Sequence, residues 1–205
     1  MSTILDGQER ELIRLSILHQ QSITMRIPQS RRKKALILVD LQKWFLPKES
    51  IAFDNTVKLL EQVPYDLYVN ASFYTEKWSI WDRQTERIFP KNSSDFANMM
   101  APFVQDKKPL VSLEKTTKSS FKGTPDLQQT LKEHRIEEVH IVWYDIYDCV
   151  FATAQEAFDL GYFTYVIEEC ADTTNGADLC EAGIKIMREL CLTINSVEEK
   201  IDFLD

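Results

Sequence analysis

Three residues of the chain combine reactive side chains with positions where a strand is expected to end. Asp40 closes the apolar run 35–40, Lys115 closes the run 109–115, and Cys149 follows the fourth predicted strand. Because the carboxyl ends of parallel strands lie along one edge of a sheet, these side chains are expected to share one crevice. A thiol, an ammonium and a carboxylate together can transfer an acyl group to sulfur and then hydrolyse the thioester.

All three have a catalytic interpretation, and Asp40 and Lys115 also have an ordinary structural one. In the first, Lys115 stabilises a thiolate, while Asp40 takes the thiol proton and returns it to a leaving amine. Cys149 is expected on the first turn of a helix, where unpaired N–H groups and the helix dipole favour the thiolate and could hold an oxyanion. In the second, Asp40 caps the next turn and Lys115 is a solvated strand end.

The elements that must position these residues alternate along the chain. Strands are predicted at 35–40, 66–74, 109–115, 138–144 and 162–168, with a short one near 193–195. Helices are predicted between them, with starts near Asp54, at Thr124 as N-cap, at Cys149 and at Gly176. This alternation favours an α/β fold in which a mostly parallel sheet carries helices on both faces.

Residues 1–30 are predicted to form an N-terminal helical extension, and 31–205 a single domain. Leu12, Leu15 and Leu18 give the segment 7–20 an apolar helical stripe. The stripe can pack on the domain's own sheet, on a sister subunit or on another protein.

Composition limits the classes of partner. The 205 residues carry a net charge of −8, which disfavours nucleic acid and anionic membrane surfaces as general partners. The N-terminal residues lack the pattern of a secretion signal, and no long apolar run suggests a membrane span. We therefore expect a cytoplasmic protein that forms a homo-oligomer and acts on a neutral or cationic small molecule.

Metal and cofactor sites are not expected. The three histidines, at 19, 134 and 140, have no metal-ligand spacing, and the five glycines form neither a dinucleotide-binding motif nor a P-loop. The four cysteines, at 149, 170, 180 and 191, form no C-x-x-C pair and are expected to be free thiols.

Aromatic residues are concentrated after the second strand, between positions 75 and 107. They can line a substrate pocket or fill a secondary core. Across the whole chain, the residues predicted to line the pocket are Gln42, Phe45, Trp78, Phe121, Trp143 and Tyr144.

Three segments resemble the signature blocks of the isochorismatase-like cysteine hydrolases. They are ALILVDLQKWFLP, EKTTKSSFKGTPDLQQTL and DCVFATAQEAFDLGY, which occur in the family's order within about residues 35–175. The matching residues are Asp40, Gln42 and Phe45 in the first, Lys115, Ser119 and Phe121 in the second, and Cys149, Val150, Gly161 and Tyr162 in the third.

The resemblance implies a three-layer α/β/α fold with Asp40, Lys115 and Cys149 as a catalytic triad. Before the cysteine the family usually reads close to G-V-A-T-D-V, whereas residues 143–148 read WYDIYD. By alignment the oxyanion N–H groups belong to Asp145 and Cys149, with a cis peptide between Tyr144 and Asp145. Asp145 and Asp148 are expected to raise the pKa of the thiol.

The resemblance also bears on the substrate. Metal-binding nicotinamidases carry Asp-x-His after the second strand, where this chain reads NASFYTEKW, and isochorismate-cleaving members commonly have glycine in place of Cys149. A thiol suits the C–N bond of a small amide, ureide or carbamoyl compound, cleaved through a thioester.

Three alternatives remain open at this point. The first is hydrolysis of an isochorismate-type vinyl ether. The second is a member that lost catalysis and serves in binding or assembly, which the WYDIYD loop favours. The third, a haloacid-dehalogenase-like phosphatase, requires an aspartate where Gln42 stands.

Overall fold

The computed structural model describes residues 31–45, 50–94, 97–99, 101–190 and 192–194. The extension predicted at 1–30 lies outside these residues, as does Cys191. The other three cysteines are free thiols.

Six strands form the central sheet of the described chain. Their bounds are β1 Lys34–Val39, β2 Leu67–Phe73, β3 Leu110–Lys115, β4 Glu138–Trp143, β5 Phe163–Ala171 and β6 Thr193–Ile194. The order is β3-β2-β1-β4-β5-β6, and every neighbouring pair is parallel. The predicted strands are confirmed with small differences at their ends, the largest being the extension of β5.

Helices cover both faces of this sheet. Their bounds are α1 Ile51–Gln62, α2 Ile80–Thr85, α3 Ala101–Val104, α4 Leu127–Glu133, α5 Phe151–Asp159 and α6 Ala177–Glu189. Apolar residues of α1 and α3 share one buried cluster, and those of α4, α5 and α6 share the other. The predicted three-layer α/β/α architecture is therefore confirmed.

The central strand shows why the sequence adopts this arrangement. In β1, Ala35, Ile37 and Val39 belong to one buried cluster, and Leu36 and Leu38 belong to the other. Because successive side chains of a strand point to opposite faces, a continuous apolar run fits a strand that is covered on both sides.

Two predicted helix starts were wrong. Helix α1 begins at Ile51 because the Ser50 side chain accepts a hydrogen bond from the N–H of Phe53, so Asp54 lies inside the helix. Helix α4 is capped by Asp126 and not by Thr124. The backbone of Thr124 is paired with Glu114 through N–H···O bonds of 2.8 and 2.9 Å, which holds it outside the helix.

The strand order reverses beside β1, since β2 and β3 extend to one side and β4 to β6 to the other. Parallel α/β sheets bind ligands in the crevice outside the carboxyl ends of the strands at such a reversal. The residues that follow β1 and β4 therefore lie where a ligand is expected to bind. Among the described helices, none combines the length and hydropathy needed to cross a bilayer.

Candidate active site

Asp40 and Lys115 form a buried ion pair at the carboxyl edge of the sheet. Asp40 directly follows β1, and Lys115 is the last residue of β3. The Nζ atom of Lys115 lies 2.7 Å from Oδ2 of Asp40 and 3.1 Å from the carbonyl oxygen of Thr117. Both side chains are almost fully buried, so Lys115 is not the solvated strand end that the structural interpretation allowed.

Cys149 lies on a π-helical turn, Ile146–Val150, that connects β4 to α5. The N–H of Val150 donates to the carbonyl oxygen of Asp145 at 3.1 Å, which gives the turn its wide geometry. The thiol, 8% exposed, interacts with both Asp40 and Lys115. The structure therefore brings together the three residues that the sequence singled out.

The carboxylate oxygens of Asp40 differ in their surroundings. Oδ2 is held by Lys115, whereas Oδ1 is buried and has no partner with hydrogen-bond geometry in the described part of the chain. The Cys149 thiol interacts with this carboxyl group. Oδ1 thus retains its capacity to accept a proton.

Burial dominates the electrostatics of the thiol. It raises the pKa of Cys149 well above the ordinary value, and Asp40 and Asp148 add to this rise while Lys115 opposes it. The expectation that the helix start would favour a resting thiolate was therefore wrong, although the predicted effect of Asp148 is confirmed. Cys149 rests as a neutral thiol, and its reaction requires a base.

Asp40, in its ion pair with Lys115, is the candidate for that base. Burial raises the pKa of Asp40, and Lys115 partly offsets this rise. For Lys115, burial would lower the pKa, but Asp40 and Cys149 outweigh burial and the net pKa is raised. Lys115 is thus a permanent cation, and its charge favours the ionised form of Asp40.

The WYDIYD loop has the backbone geometry that the resemblance implied. The peptide between Tyr144 and Asp145 is cis, and Trp143 has a φ of 101°. The N–H groups of Asp145 and Cys149 donate to no acceptor outside their own turn within the described residues. The N–H of Asp145 is thus available to an oxyanion.

Asp172, which follows β5, supports this loop from the side. Its carbonyl oxygen accepts the N–H of Ile146 at 3.0 Å, and its Oδ2 accepts the hydroxyl of Tyr144 at 3.1 Å. The N–H of Thr174 donates to Oδ1 of Asp145 at 3.2 Å. These contacts come from a segment remote in sequence, and they hold the loop from one side.

Gln42 has a structural role at the same edge. Its side chain accepts the N–H of Phe73 at 2.8 Å and donates to the carbonyl oxygen of Phe73 at 3.1 Å. The amide is fully buried. Gln42 therefore joins the end of β2 to the segment after β1, and we assign it to the support of the site.

The other predicted pocket residues occupy different surroundings. Phe45 is half-buried and stacks on Phe89, whereas Trp78 is 75% exposed. Phe121 is buried and stacks on Tyr162 beneath the site. Trp143 and Tyr144 are fully buried in the core on the α1 side.

An aromatic cluster beside the ion pair was not resolved by sequence reasoning. The Phe73 ring centroid lies 5.0 Å from Nζ of Lys115, and Trp81 and Phe89 pack on that ring with centroid distances of 5.4 and 5.2 Å. The many aromatic residues between 75 and 107 predicted an aromatic lining for the site, but the sequence did not show which rings form it. Phe45, Tyr74 and Trp81 are the half-exposed members.

The segment after β3 is braced against α5. The N–H of Ser120 donates to Oγ1 of Thr153 at 3.1 Å, and that hydroxyl donates to the carbonyl oxygen of Cys149 at 2.7 Å. This chain of contacts links the lysine segment to the cysteine turn. In the described ranges, no cluster of three or more His, Cys, Asp or Glu side chains could hold a metal ion.

The sequence of the chain matches a known protein family. The model of the isochorismatase domain family matches residues 34–199. The isochorismatase family protein YrdC of Bacillus subtilis (strain 168) is 33% identical over 144 residues, which cover 67% of this chain and 72% of that protein.

Solved structures share the fold. An isochorismatase-like hydrolase from Alkaliphilus metalliredigens superposes with a TM-score of 0.69 at 17% identity, covering 80% of this chain and 95% of that one. An N-carbamoylsarcosine amidase from Thermoplasma acidophilum gives 0.64 at 19% identity, with 82% and 99% covered. With its buried carboxylate, ammonium and thiol at the expected strand ends, the chain belongs to the isochorismatase family of hydrolases.

Proposed function

We propose that this protein hydrolyses a C–N bond of a small amide, ureide or carbamoyl compound through a thioester on Cys149. The observation that carries the proposal is the convergence of the Cys149 thiol on the 2.7 Å ion pair of Asp40 and Lys115. A buried thiol beside an ionised carboxylate is suited to attack a carbonyl carbon, a step that vinyl-ether hydrolysis does not require.

In the first half-reaction, Oδ1 of Asp40 takes the proton of the Cys149 thiol as sulfur attacks the substrate carbonyl carbon. The N–H groups of Asp145 and Cys149 stabilise the negative charge that develops on the carbonyl oxygen. As the C–N bond breaks, Asp40 passes the proton to the leaving nitrogen. The products of this step are a free amine and a thioester.

In the second half-reaction, water replaces the amine. Asp40 takes a proton from the water as its oxygen attacks the thioester carbon, and the same N–H groups hold the second oxyanion. The C–S bond then breaks and the proton returns to sulfur, which regenerates the thiol. Lys115 stays protonated throughout and keeps Oδ2 of Asp40 in place.

The aromatic cluster provides the substrate with an apolar surface next to this chemistry. Phe45, Tyr74 and Trp81 are the members with exposed area, and Phe73 lies between Trp81 and Lys115. The amidase among the structural neighbours acts on a carbamoyl compound by its name, which is consistent with the proposed substrate class. We also propose that the protein is cytoplasmic and works as a homo-oligomer.

The rival functions differ in what they require of Cys149. A vinyl-ether hydrolase needs an acid and no nucleophile, and a binding or assembly protein needs neither. The available N–H donor on the Tyr144–Asp145 bend favours catalysis over the non-catalytic alternative.

The test is a hydrolysis screen of amides, ureides and carbamoyl compounds, with vinyl ethers as a separate arm. Released amine or ammonia is measured for the wild type and for Cys149→Ser, Asp40→Asn and Lys115→Met. We expect turnover of at least one C–N substrate, and a loss of about a thousandfold or more in each variant.

Cys180→Ser is the matched control, because Cys180 is a half-buried thiol on α6 that takes no part in the triad. This variant is expected to keep wild-type activity. Hydrolysis that survives in Cys149→Ser, or activity on vinyl ethers alone, would overturn the proposal.

A further inference from the structure

Lys118 and Asp148 form an ion pair at the edge of the triad. The ammonium of Lys118 contacts Oδ1 of Asp148, the residue immediately before Cys149. Nζ of Lys118 also lies 5.6 Å from the ring centroid of Trp81. The pair thus connects the segment after β3 to the π turn that carries the thiol.

We propose that Lys118 is a positioning residue for the nucleophile, which offsets the charge of Asp148 and allows the Cys149 thiolate to form more readily. The proposal rests on the proposed function only in taking Cys149 as the nucleophile. Its test reads the thiol directly and needs no substrate.

The charges that face Cys149 make this role specific. Asp40 from the end of β1 and Asp148 from the thiol's own turn both disfavour a thiolate, and Lys115 from β3 favours it. Lys115 is already committed to Asp40 at 2.7 Å. Among the described residues, Lys118 is the cation paired with the remaining carboxylate, Asp148.

In the contacts of the described residues, the helices packed on the turn reach it through neutral groups, and Asp172 after β5 accepts hydrogen bonds from Tyr144 and Thr173 with its carboxylate. Helix α5 contributes the hydroxyl of Thr153, which donates to the carbonyl oxygen of Cys149. Helix α6 approaches through Gly183, whose α-carbon faces Ile146 and Tyr147. Asp145 precedes the turn and raises the pKa of Asp40.

The position of Lys118 is fixed by its neighbours in the chain. The carbonyl oxygen of Thr117 accepts from Lys115, and the Ser119 hydroxyl accepts the N–H of Phe121 at 3.2 Å. The ring of Trp81 provides a surface for the ammonium. The residues before and after Lys118 are therefore fixed by hydrogen bonds, and its ammonium is positioned by the ring of Trp81.

The expected effect is modest because the Lys118 side chain is half-exposed. A solvent-screened ion pair of this kind changes an equilibrium by a factor of roughly two to five. The thiolate fraction, and with it the rate of alkylation at a fixed pH below the thiol's pKa, changes by the same factor.

The experiment measures the rate at which iodoacetamide modifies Cys149, followed by mass spectrometry of the Cys149 peptide as a function of pH. Lys118→Met is expected to slow modification about threefold and to displace the pH profile toward higher pH. Asp148→Asn is expected to do the opposite. The double variant is expected to react within about twofold of the wild type, since both charges are gone.

A second ion pair of the same segments gives a matched control. Lys122 contacts Glu156 at 2.7 Å, with side-chain exposures of 64% and 23%, close to the 54% and 20% of Lys118 and Asp148. Lys122→Met and Glu156→Gln are expected to leave the pH profile of Cys149 unchanged. About 1 M salt is expected to remove most of the Lys118→Met effect. The Debye length at that concentration is about 3 Å, so interactions between exposed charges that lie farther apart are largely screened.

Two results would overturn the proposal. One is a pH profile that neither Lys118→Met nor Asp148→Asn displaces. The other is a double variant that stays as slow as Lys118→Met, which would indicate a structural role for the lysine. Slow modification of Cys149 in every protein, with these relative effects preserved, would count against the proposed hydrolase and not against the role of Lys118.

Discussion

The ammonium of Lys115 lies 2.7 Å from the carboxylate of Asp40, although the two residues are 75 positions apart in the chain. Strand β2 separates β1 from β3 in the sheet, so the contact spans two strand spacings. The contact depends on the length of the Lys115 side chain, whose Nζ lies 5.0 Å from the centroid of the Phe73 ring. The pair supplies the fixed charge and the proton acceptor that the proposed reaction requires.

Removing the cation of this pair is expected to cost more stability than removing both charges. Lys115→Met leaves the Asp40 carboxylate buried and unpaired, which destabilises the fold by about 3 kcal/mol or more. Asp40→Asn combined with Lys115→Met is expected to recover part of that loss. Urea unfolding of the single and double variants measures the difference, and equal losses would show that the pair is not coupled in the folded protein.

The activity is expected to fall on the acid side of neutrality. Burial raises the pKa of Asp40 above its ordinary range, with Lys115 offsetting part of the rise. Asp40 takes a proton only as the carboxylate, so kcat/KM is full above this raised pKa and is lost as the pH falls through it. A profile that stays flat down to about pH 4 would contradict the assignment of Asp40 as the base.

Gly183 is expected to be required for the geometry of the cysteine turn. A β-carbon at this position would lie 3.1 Å from Cγ2 of Ile146 and 3.3 Å from both Cβ and the backbone nitrogen of Tyr147. Gly183→Ala gains helix propensity of up to about 1 kcal/mol, yet it displaces the turn. We expect a fall in kcat of about tenfold with a small change in Tm.

Ala182→Gly, on the exposed side of the same helix, provides the comparison. It is expected to lower Tm and to leave kcat unchanged. If Gly183→Ala keeps wild-type kcat, the packing of α6 on the π turn has no influence on the site.

Some residues of the site could be predicted from the sequence, and others could not. Asp40, Lys115 and Cys149 were predictable because parallel strands end at one edge, so residue type and position in the run were sufficient. The cis peptide between Tyr144 and Asp145 was located by family resemblance, although its support by Asp172 was not. That support comes from a segment after β5, which no local pattern connects to the loop.

The remaining errors have the same origin. Gln42 has the residue type of a ligand-binding side chain, and only the fold shows that the ends of its amide are committed to Phe73. The neutral state of Cys149 follows from its burial, which a helix-start pattern does not contain. Phe73 was a strand residue by pattern, and its place beside Lys115 follows from the sheet order.

A buried histidine at the opposite end of β4 is expected to make the fold sensitive to acid. His140 contacts Glu138 at 2.8 Å and the hydroxyl of Tyr65 at 3.0 Å, and burial lowers its pKa in spite of Glu138. His140 therefore binds a proton more tightly in the unfolded chain than in the folded protein. This contribution to stability is present above the unfolded pKa of about 6.5 and is lost as the pH falls below it.

Unfolding in urea near pH 7.5 and pH 5.5 tests this linkage with His140→Phe. The variant is expected to be less stable at the higher pH, because two buried hydrogen bonds are lost, and to lose less stability between the two conditions. The same pH-dependent loss in both proteins would assign the acid sensitivity to other groups.

The most direct test of the account is to trap the acyl-enzyme. A C–N substrate from the screen is mixed with the wild type and with Cys180→Ser, the reaction is quenched in acid within a turnover, and the protein is digested and mapped by mass spectrometry. The account predicts the mass of the acyl group on the Cys149 peptide in both proteins, with none in Cys149→Ser. Steady hydrolysis with no adduct on Cys149, or an adduct on another residue, would contradict it.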